Sequence, residues 1–207
     1  MNLRLFLVLG LAVLSLPVAA QSNEMAVWIT APQVETLRRT DPNASIERSF
    51  EDDPGWGLSV SRYWTRNLAT ELAFHRIQPG SNDVMVVNGR TITTQGPHLD
   101  LTAWSATAQW HFGVAGRIDP YLGAGAAHVS GDMHYVHETT EDVRSEFDSE
   151  FTWVANAGFT LRLTPRIAAS LDAKYIPYAP DADPHDSIFY RPELNPLILA
   201  AGLRLRF

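Results

Sequence analysis

The chain has 207 residues, 45% of them hydrophobic and 19% charged, with a formal net charge of −7 and no cysteine. That length fits one domain with a sizeable core, and an acidic balance in which Lys174 is the only lysine argues against a nucleic-acid partner. The missing cysteines exclude disulfides, thiolate zinc sites and thiol catalysis, and a mean hydropathy of −0.10 excludes a bundle of membrane helices while leaving a membrane β-barrel open.

In chain order, Met1 to Ala20 carries Arg4, a leucine-rich run from Leu5 to Leu16, and then Pro17-Val18-Ala19-Ala20. This is the three-part form of a secretory signal peptide, with cleavage expected after Ala20. A membrane anchor helix needs roughly 20 apolar residues, more than this uncharged run supplies. Cleavage removes Arg4 and leaves 15 basic against 23 acidic residues, a formal charge of −8.

The mature chain, residues 21–207, shows no amphipathic helical period. What recurs is alternation at period two, the mark of strands with two different faces. Met25 to Ala31 and Trp56 to Thr65 open the set, with Arg62 on the apolar face of its strand. Asn67 to Gln78 alternates Leu68, Leu72 and Phe74 with Ala69, Glu71, Ala73 and His75. His98 to Phe112 ends with Ala106, Ala108, Trp110 and Phe112 opposite Ser105, Thr107, Gln109 and His111. Pro120 to Val129 is a strand of small residues. Phe151 to Leu163 sets Phe151, Trp153, Phe159 and Leu161 against Thr152, Asn156, Thr160 and Arg162. Arg166 to Tyr175 sets Ile167, Leu171 and Tyr175 against Ser170, Asp172 and Lys174. The last, Leu197 to Phe207, sets Leu199, Leu203, Leu205 and Phe207 against Ile198, Arg204 and Arg206.

That predicts eight strands, and their connections alternate in length. Thr65 to Asn67, Gly113 to Ile118 and Thr164 to Arg166 are short; Pro32 to Asp53, Pro79 to Pro97, Ser130 to Glu146 and Pro177 to Glu193 are long and polar. An even strand number with short turns on one side and long loops on the other is the layout of an all-β, eight-stranded antiparallel transmembrane barrel, an up-and-down meander with periplasmic turns and external loops. In a soluble eight-stranded barrel the apolar face would point inward. Aromatic residues at the strand ends (Trp56, Trp64, Trp110, Phe112, Phe151, Tyr175, Phe207) favour the membrane version, as interface girdles.

Face parity then nominates the lumen. Glu71, His75, Arg162, Asp172, Lys174 and Arg204 fall on the polar faces, and Glu71 and Asp172 are expected to pair with Arg162, Lys174, Arg204 and Arg206 because buried charges need partners. Leu99, Leu101 and Ala103 also fall on the lumen face if the alternation of their strand persists, which gives an apolar funnel above a polar floor. A bulge in that strand would return the leucines to lipid.

Three stretches carry a resemblance: Asp119-Pro120-Tyr121-Leu122-Gly123-Ala124-Gly125 after a strand ending His111-Phe112-Gly113; Asp172 to Asp181, running through Lys174-Tyr175-Ile176 into an acidic loop; and Leu194-Asn195-Pro196 leading to Gly202-Leu203-Arg204-Leu205-Arg206-Phe207. In their order these resemble the OmpW-type family of small outer-membrane barrels over most of residues 25 to 207. The resemblance implies a narrow passive channel for small, often hydrophobic, solutes. It also makes Leu203, Leu205 and the terminal Phe207 similar to the signal read by the barrel-assembly machinery. The expected surroundings are outer-membrane lipid and lipopolysaccharide.

Other chemistries have weaker marks. The alternative function is a non-conducting structural or surface-interaction barrel that acts through its long loops. His128-Val129-Ser130 has the His-x-Ser spacing of lipid A deacylases, and residues i and i+2 share a strand face, but its place in the chain and its flanks differ from those enzymes. No enzyme activity is expected. His128, His134 and His137 with Asp132 and Glu138 offer metal-ligand types, at positions where scattered histidines are usually solvated. Neither a metal nor a cofactor is expected.

Overall fold

The computed structural model describes residues 22–41, 44–113, 117–135, 143–180 and 193–207. The expected signal peptide, residues 1–20, therefore lies outside the described residues, as do His137, Glu138 and residues 181–192. Twelve strands are described: β1 (Asn23–Gln33), β2 (Leu37–Asp41), β3 (Ala44–Phe50), β4 (Gly55–Tyr63), β5 (Leu68–Ile77), β6 (Ser81–Val87), β7 (Arg90–Gln95), β8 (His98–His111), β9 (Ile118–Tyr135), β10 (Val143–Arg162), β11 (Ile167–Tyr175) and β12 (Leu197–Arg206).

Eight of them close a barrel in the order β1-β12-β11-β10-β9-β8-β5-β4, with every neighbouring pair antiparallel. The seam is made by the chain ends. β1 pairs β4 on one side and β12 on the other, and Asn23 and Phe207 exchange backbone hydrogen bonds at 3.1 and 2.9 Å. Closure leaves no barrel edge, which is what lets strands cross lipid with their backbone groups satisfied.

Alternation decides the faces. β1 exposes Met25, Val27 and Ile29 and buries Ala26, Trp28 and Thr30; Ile29 is 69% exposed and Trp28 2%. The same rule turns Leu122, Trp153, Leu171, Leu203 and Leu205 outward. An apolar outer wall around a partly charged interior suits lipid rather than water. Arg62, on the outward register of β4, is nonetheless buried, with its guanidinium 4.9 Å from the Trp64 ring centroid.

Small residues on the inner wall make room for large ones. A Cβ on Gly202 would lie 2.5 Å from Trp28, and one on Gly158 would lie 2.6 Å from the Tyr121 hydroxyl. Two bulky rings thus enter a barrel whose bore is only about wide enough for side chains to fill.

The external side departs from the expected long loops. The segments Pro32 to Asp53 and Pro79 to Pro97 fold into two hairpins, β2-β3 and β6-β7, which join through β3 and β6 into a second sheet of order β2-β3-β6-β7. Ser130 to Glu146 is largely strand, because β9 runs on to Tyr135 and β10 begins at Val143, with a register shift between Phe147 and Glu150. These strands escape a pattern search because they lack a clean apolar face: β2 reads Leu37-Arg38-Arg39-Thr40-Asp41, and every residue of β7 is exposed. One local signal was present. Asn88-Gly89, with φ of 50° and 75°, is the dipeptide that a two-residue hairpin turn prefers.

Candidate functional site: the barrel lumen

The lumen has two storeys. Its periplasmic half, nearer the short turns, is polar. Glu71 (β5), Lys174 and Asp172 (β11), and Arg204 (β12) are all buried there. The Lys174 ammonium donates to Glu71 Oε1 at 3.0 Å and lies 3.9 Å from Asp172 Oδ2. Arg204 donates to Ser170 Oγ at 3.0 Å, to Ser61 Oγ at 3.2 Å, and to Glu71 Oε2 and the Tyr121 hydroxyl at 3.3 Å each. Its guanidinium carbon also sits 5.1 Å from the Trp28 ring centroid. Asp172 accepts from the Tyr121 hydroxyl at 2.7 Å and from Asn156 at 2.9 Å. Charges this deeply buried persist only when paired and hydrogen-bonded, and each of these is.

A second cluster closes the periplasmic mouth. Glu24 Oε1 accepts from Arg206 at 2.8 Å, while its Oε2 accepts from the Tyr63 hydroxyl at 3.3 Å and lies 3.7 Å from Arg204. His111 meets Asp119 at 3.2 Å, with its ring 4.9 Å from Tyr63 and 5.1 Å from Tyr121. Glu24, Tyr63, Asp119, Arg162 and Arg206 crowd a pocket at this mouth that has room for about one water molecule.

The external half is apolar. Leu99, Leu101, Ala103, Val129, Met133, Ile176 and Ile198 belong to one buried cluster, joined by Ile77, Val154, Tyr178 and Leu194. β8 pairs β5 and β9 without a register shift, so Leu99 and Leu101 face inward and the bulge that would have turned them to lipid is absent from β8. The second sheet roofs this chamber. Leu37 is part of the cluster, and Val34, Ile46 and Phe50 pack against it. Arg48 of β3 and Asp83 of β6 are both buried and form a two-pronged ion pair at 2.7 and 2.8 Å, while Arg48 also reaches Met133 Sδ at 3.4 Å. Gly96 N donates to Ser81 O at 2.8 Å and Ser81 Oγ to Pro97 O at 2.6 Å, tying the end of the β6-β7 hairpin down.

Of the residues nominated from sequence, Glu71, Asp172, Lys174 and Arg204 meet in one network, His75 stands just above it, and Leu99 and Leu101 line the chamber. Arg162 does not join them. Its side chain is half exposed at the periplasmic end, 3.5 Å from Asp119, because β10 has reached its last residue there. Arg206 pairs with Glu24 rather than with Glu71 or Asp172. Sequence reading passed over Glu24, Ser61, Tyr121, Asp119 and the Arg48–Asp83 pair. Parity marks the first four as lumen residues, but nothing local marks Arg48 or Asp83, since each meets its ion-pair partner from the other hairpin.

His128 and Ser130 share the outward face of β9, and the His128 ring packs edge-on against Phe151 at 4.6 Å. Among the described residues, no group of three or more histidine and carboxylate side chains is arranged to hold a metal ion.

The sequence profile described as outer membrane protein beta-barrel domain matches residues 6–207. The chain belongs to that family. Outer-membrane barrels also share its fold. OprG from Pseudomonas aeruginosa superimposes with a TM-score of 0.65 at 10% identity, over 90% of this chain and 95% of that one. AlkL, solved in lipid bilayers, gives 0.58 at 15% identity over 93% and 94%, and Neisserial surface protein A gives 0.55 at 13% over 90% and 97%. No curated protein sequence matches the chain. The family and these folds place the barrel in the outer membrane and agree with the small-barrel resemblance read from the sequence.

Proposed function

We propose that this outer-membrane barrel is a narrow passive channel for small apolar solutes and conducts ions poorly. The observation that supports this reading is the inversion of its lumen. A membrane barrel ordinarily has a polar interior, yet here the external half is lined by Leu99, Leu101, Val129, Met133, Ile176 and Ile198. An apolar molecule leaving water gains roughly 25 cal/mol for each Å² it buries against such a lining. The charged floor below gives it no comparable gain, so its favourable exit is sideways, toward lipid. The ladder between β10 and β11 ends at Ala155 and Tyr175, while β10 continues outward to Val143.

The test is uptake in cells that depend on this barrel for entry of an apolar compound. Leu99→Asp puts a charge in the chamber and is expected to lower uptake at least tenfold with folded protein still in the outer membrane. Undiminished uptake by that variant counts against the channel.

The roof sheet favours a second reading, a surface-interaction barrel, because β7 exposes all six of its residues to the outside. Removing the β6-β7 hairpin would then abolish activity that Leu99→Asp leaves intact.

A further inference from the structure

His75 stands on β5 where the charged floor meets the apolar chamber, and it is 2% exposed. Neither of its ring nitrogens has a hydrogen-bond partner among the described residues. The hydroxyls of Thr30 on β1 and Ser105 on β8 are buried in the same condition. Buried polar groups are nearly always satisfied, so these orphans need a physical account, His75 above all with two bare nitrogens.

The register sets them at three successive levels of the inner wall, Thr30 level with Ile77, His75 one inward-facing step below and Ser105 one step below that. Gly57 of β4 lies opposite His75 on one side and Trp28 on the other, Gly55 lies opposite Thr30, and Ser105 is one inward-facing residue below Ala103, the partner of His75. A Cβ on Gly57 would sit 2.5 Å from His75 Nδ1, and one on Gly55 would sit 2.6 Å from Thr30 Oγ1. Both side chains therefore lean over β4, one inward-facing step apart, in space that the two glycines leave. Directly above, Ile77 pairs with Leu101 and Ala103 with Val129 to form the chamber wall.

We propose that His75 is a head-group subsite for neutral amphiphiles, whose single hydroxyl or carbonyl hydrogen-bonds the imidazole while the alkyl chain lies along Ile77, Leu101 and Val129. This deepens the apolar-channel reading and rests on it. A neutral imidazole offers one donor and one acceptor, enough for either head group. A charged head is disfavoured because the floor is balanced. Lys174, Arg204 and Arg206 are each already in contact with a carboxylate of Glu24, Glu71 or Asp172, and another buried charge would arrive without a partner.

The experiment uses the full barrel in lipid nanodiscs with histidine-selective 15N labelling, titrated with 1-decanol, decane and decanoate. His75→Leu removes two orphan nitrogens and is the matching variant; its binding ratio is read in the same nanodiscs so that partition into lipid cancels. Decanol is expected to move the His75 ring-nitrogen resonances and decane to leave them in place. The decanol-to-decane binding ratio is expected to fall roughly three- to tenfold in His75→Leu, the loss of about one hydrogen bond. An unmoved His75 signal with decanol bound, an unchanged ratio in His75→Leu, or tighter binding of decanoate than decanol overturns the subsite while leaving the apolar channel standing. Failure of both decanol and decane to bind overturns the two together.

Discussion

Lys174 and Glu71 face each other across the full diameter of the barrel. Their strands, β11 and β5, are four places apart in whichever direction the closed order is followed, yet ammonium and carboxylate lie 3.0 Å apart. The pair is a crossbar. With Arg204 bound to the same carboxylate, it fixes the spacing of opposite walls and fills the bore at that level.

Glu71→Gln is expected to leave Lys174 and Arg204 buried with too little negative charge. Removing one member of such a network costs about 3–5 kcal/mol. A lowered urea midpoint for barrels refolded in lipid vesicles measures it. Replacing both ends, Glu71→Leu with Lys174→Met, should recover only part of the loss, because Arg204 still lacks one partner.

Ion conductance follows from the same crossbar. In a planar bilayer the wild-type barrel should be silent or nearly so, since the paired charges of the crossbar and of the periplasmic mouth stand across the bore. Large, steady conductance steps from wild-type protein would contradict a floor closed in this way. Glu71→Gln should raise step frequency if loosening the crossbar opens the bore.

The roof depends on Arg48 and Asp83. Arg48→Met alone leaves the buried Asp83 carboxylate without its cation, and the loss is about 3–5 kcal/mol of local stability. Amide exchange in β3 and β6 should quicken while β8, β9 and β10 keep their protection. The double change Arg48→Met with Asp83→Leu should restore slow exchange, since apolar residues of similar size replace a buried pair at little cost.

Gly158→Ala and Gly202→Ala test the inner packing. The first places a methyl group 2.6 Å from the Tyr121 hydroxyl and 2.4 Å from Leu171 O; the second places one 2.5 Å from Trp28. Overpacking of this kind costs typically 1–3 kcal/mol. Heat-dependent mobility of the folded barrel on gels should shift to lower temperature in both.

Phe207 separates recognition from stability. Its side chain is exposed, and its backbone closes the seam with Asn23. Phe207→Ala keeps those backbone bonds, so refolding into vesicles should be near normal. A marked fall in assembled protein in cells would then report recognition by the assembly machinery; equal yields in cells would remove Phe207 from that role.

The sequence by itself determined the eight barrel strands and, for those with clean alternation, which face meets lipid; Arg62, read on the apolar face, is buried. Period-two alternation is local, and Trp28 or Leu203 needs only its own neighbours to declare a side. The same rule placed Glu71, His75, Asp172, Lys174 and Arg204 in the lumen, while Leu99 and Leu101 stood between lumen and lipid until the unbroken register of β8 turned them inward. Which lumen residues touch was decided only by closure, because the stagger of eight strands sets what lies opposite what. Arg162 and Lys174 share a face type, but one ends at the mouth beside Asp119 and the other spans the bore. The roof was decided entirely in three dimensions. β3 and β6 belong to different connections, and Arg48 finds its carboxylate only because Asp83 arrives from the other one. Strands stabilised by such distant partners have no need of a patterned face, and so leave no pattern to read.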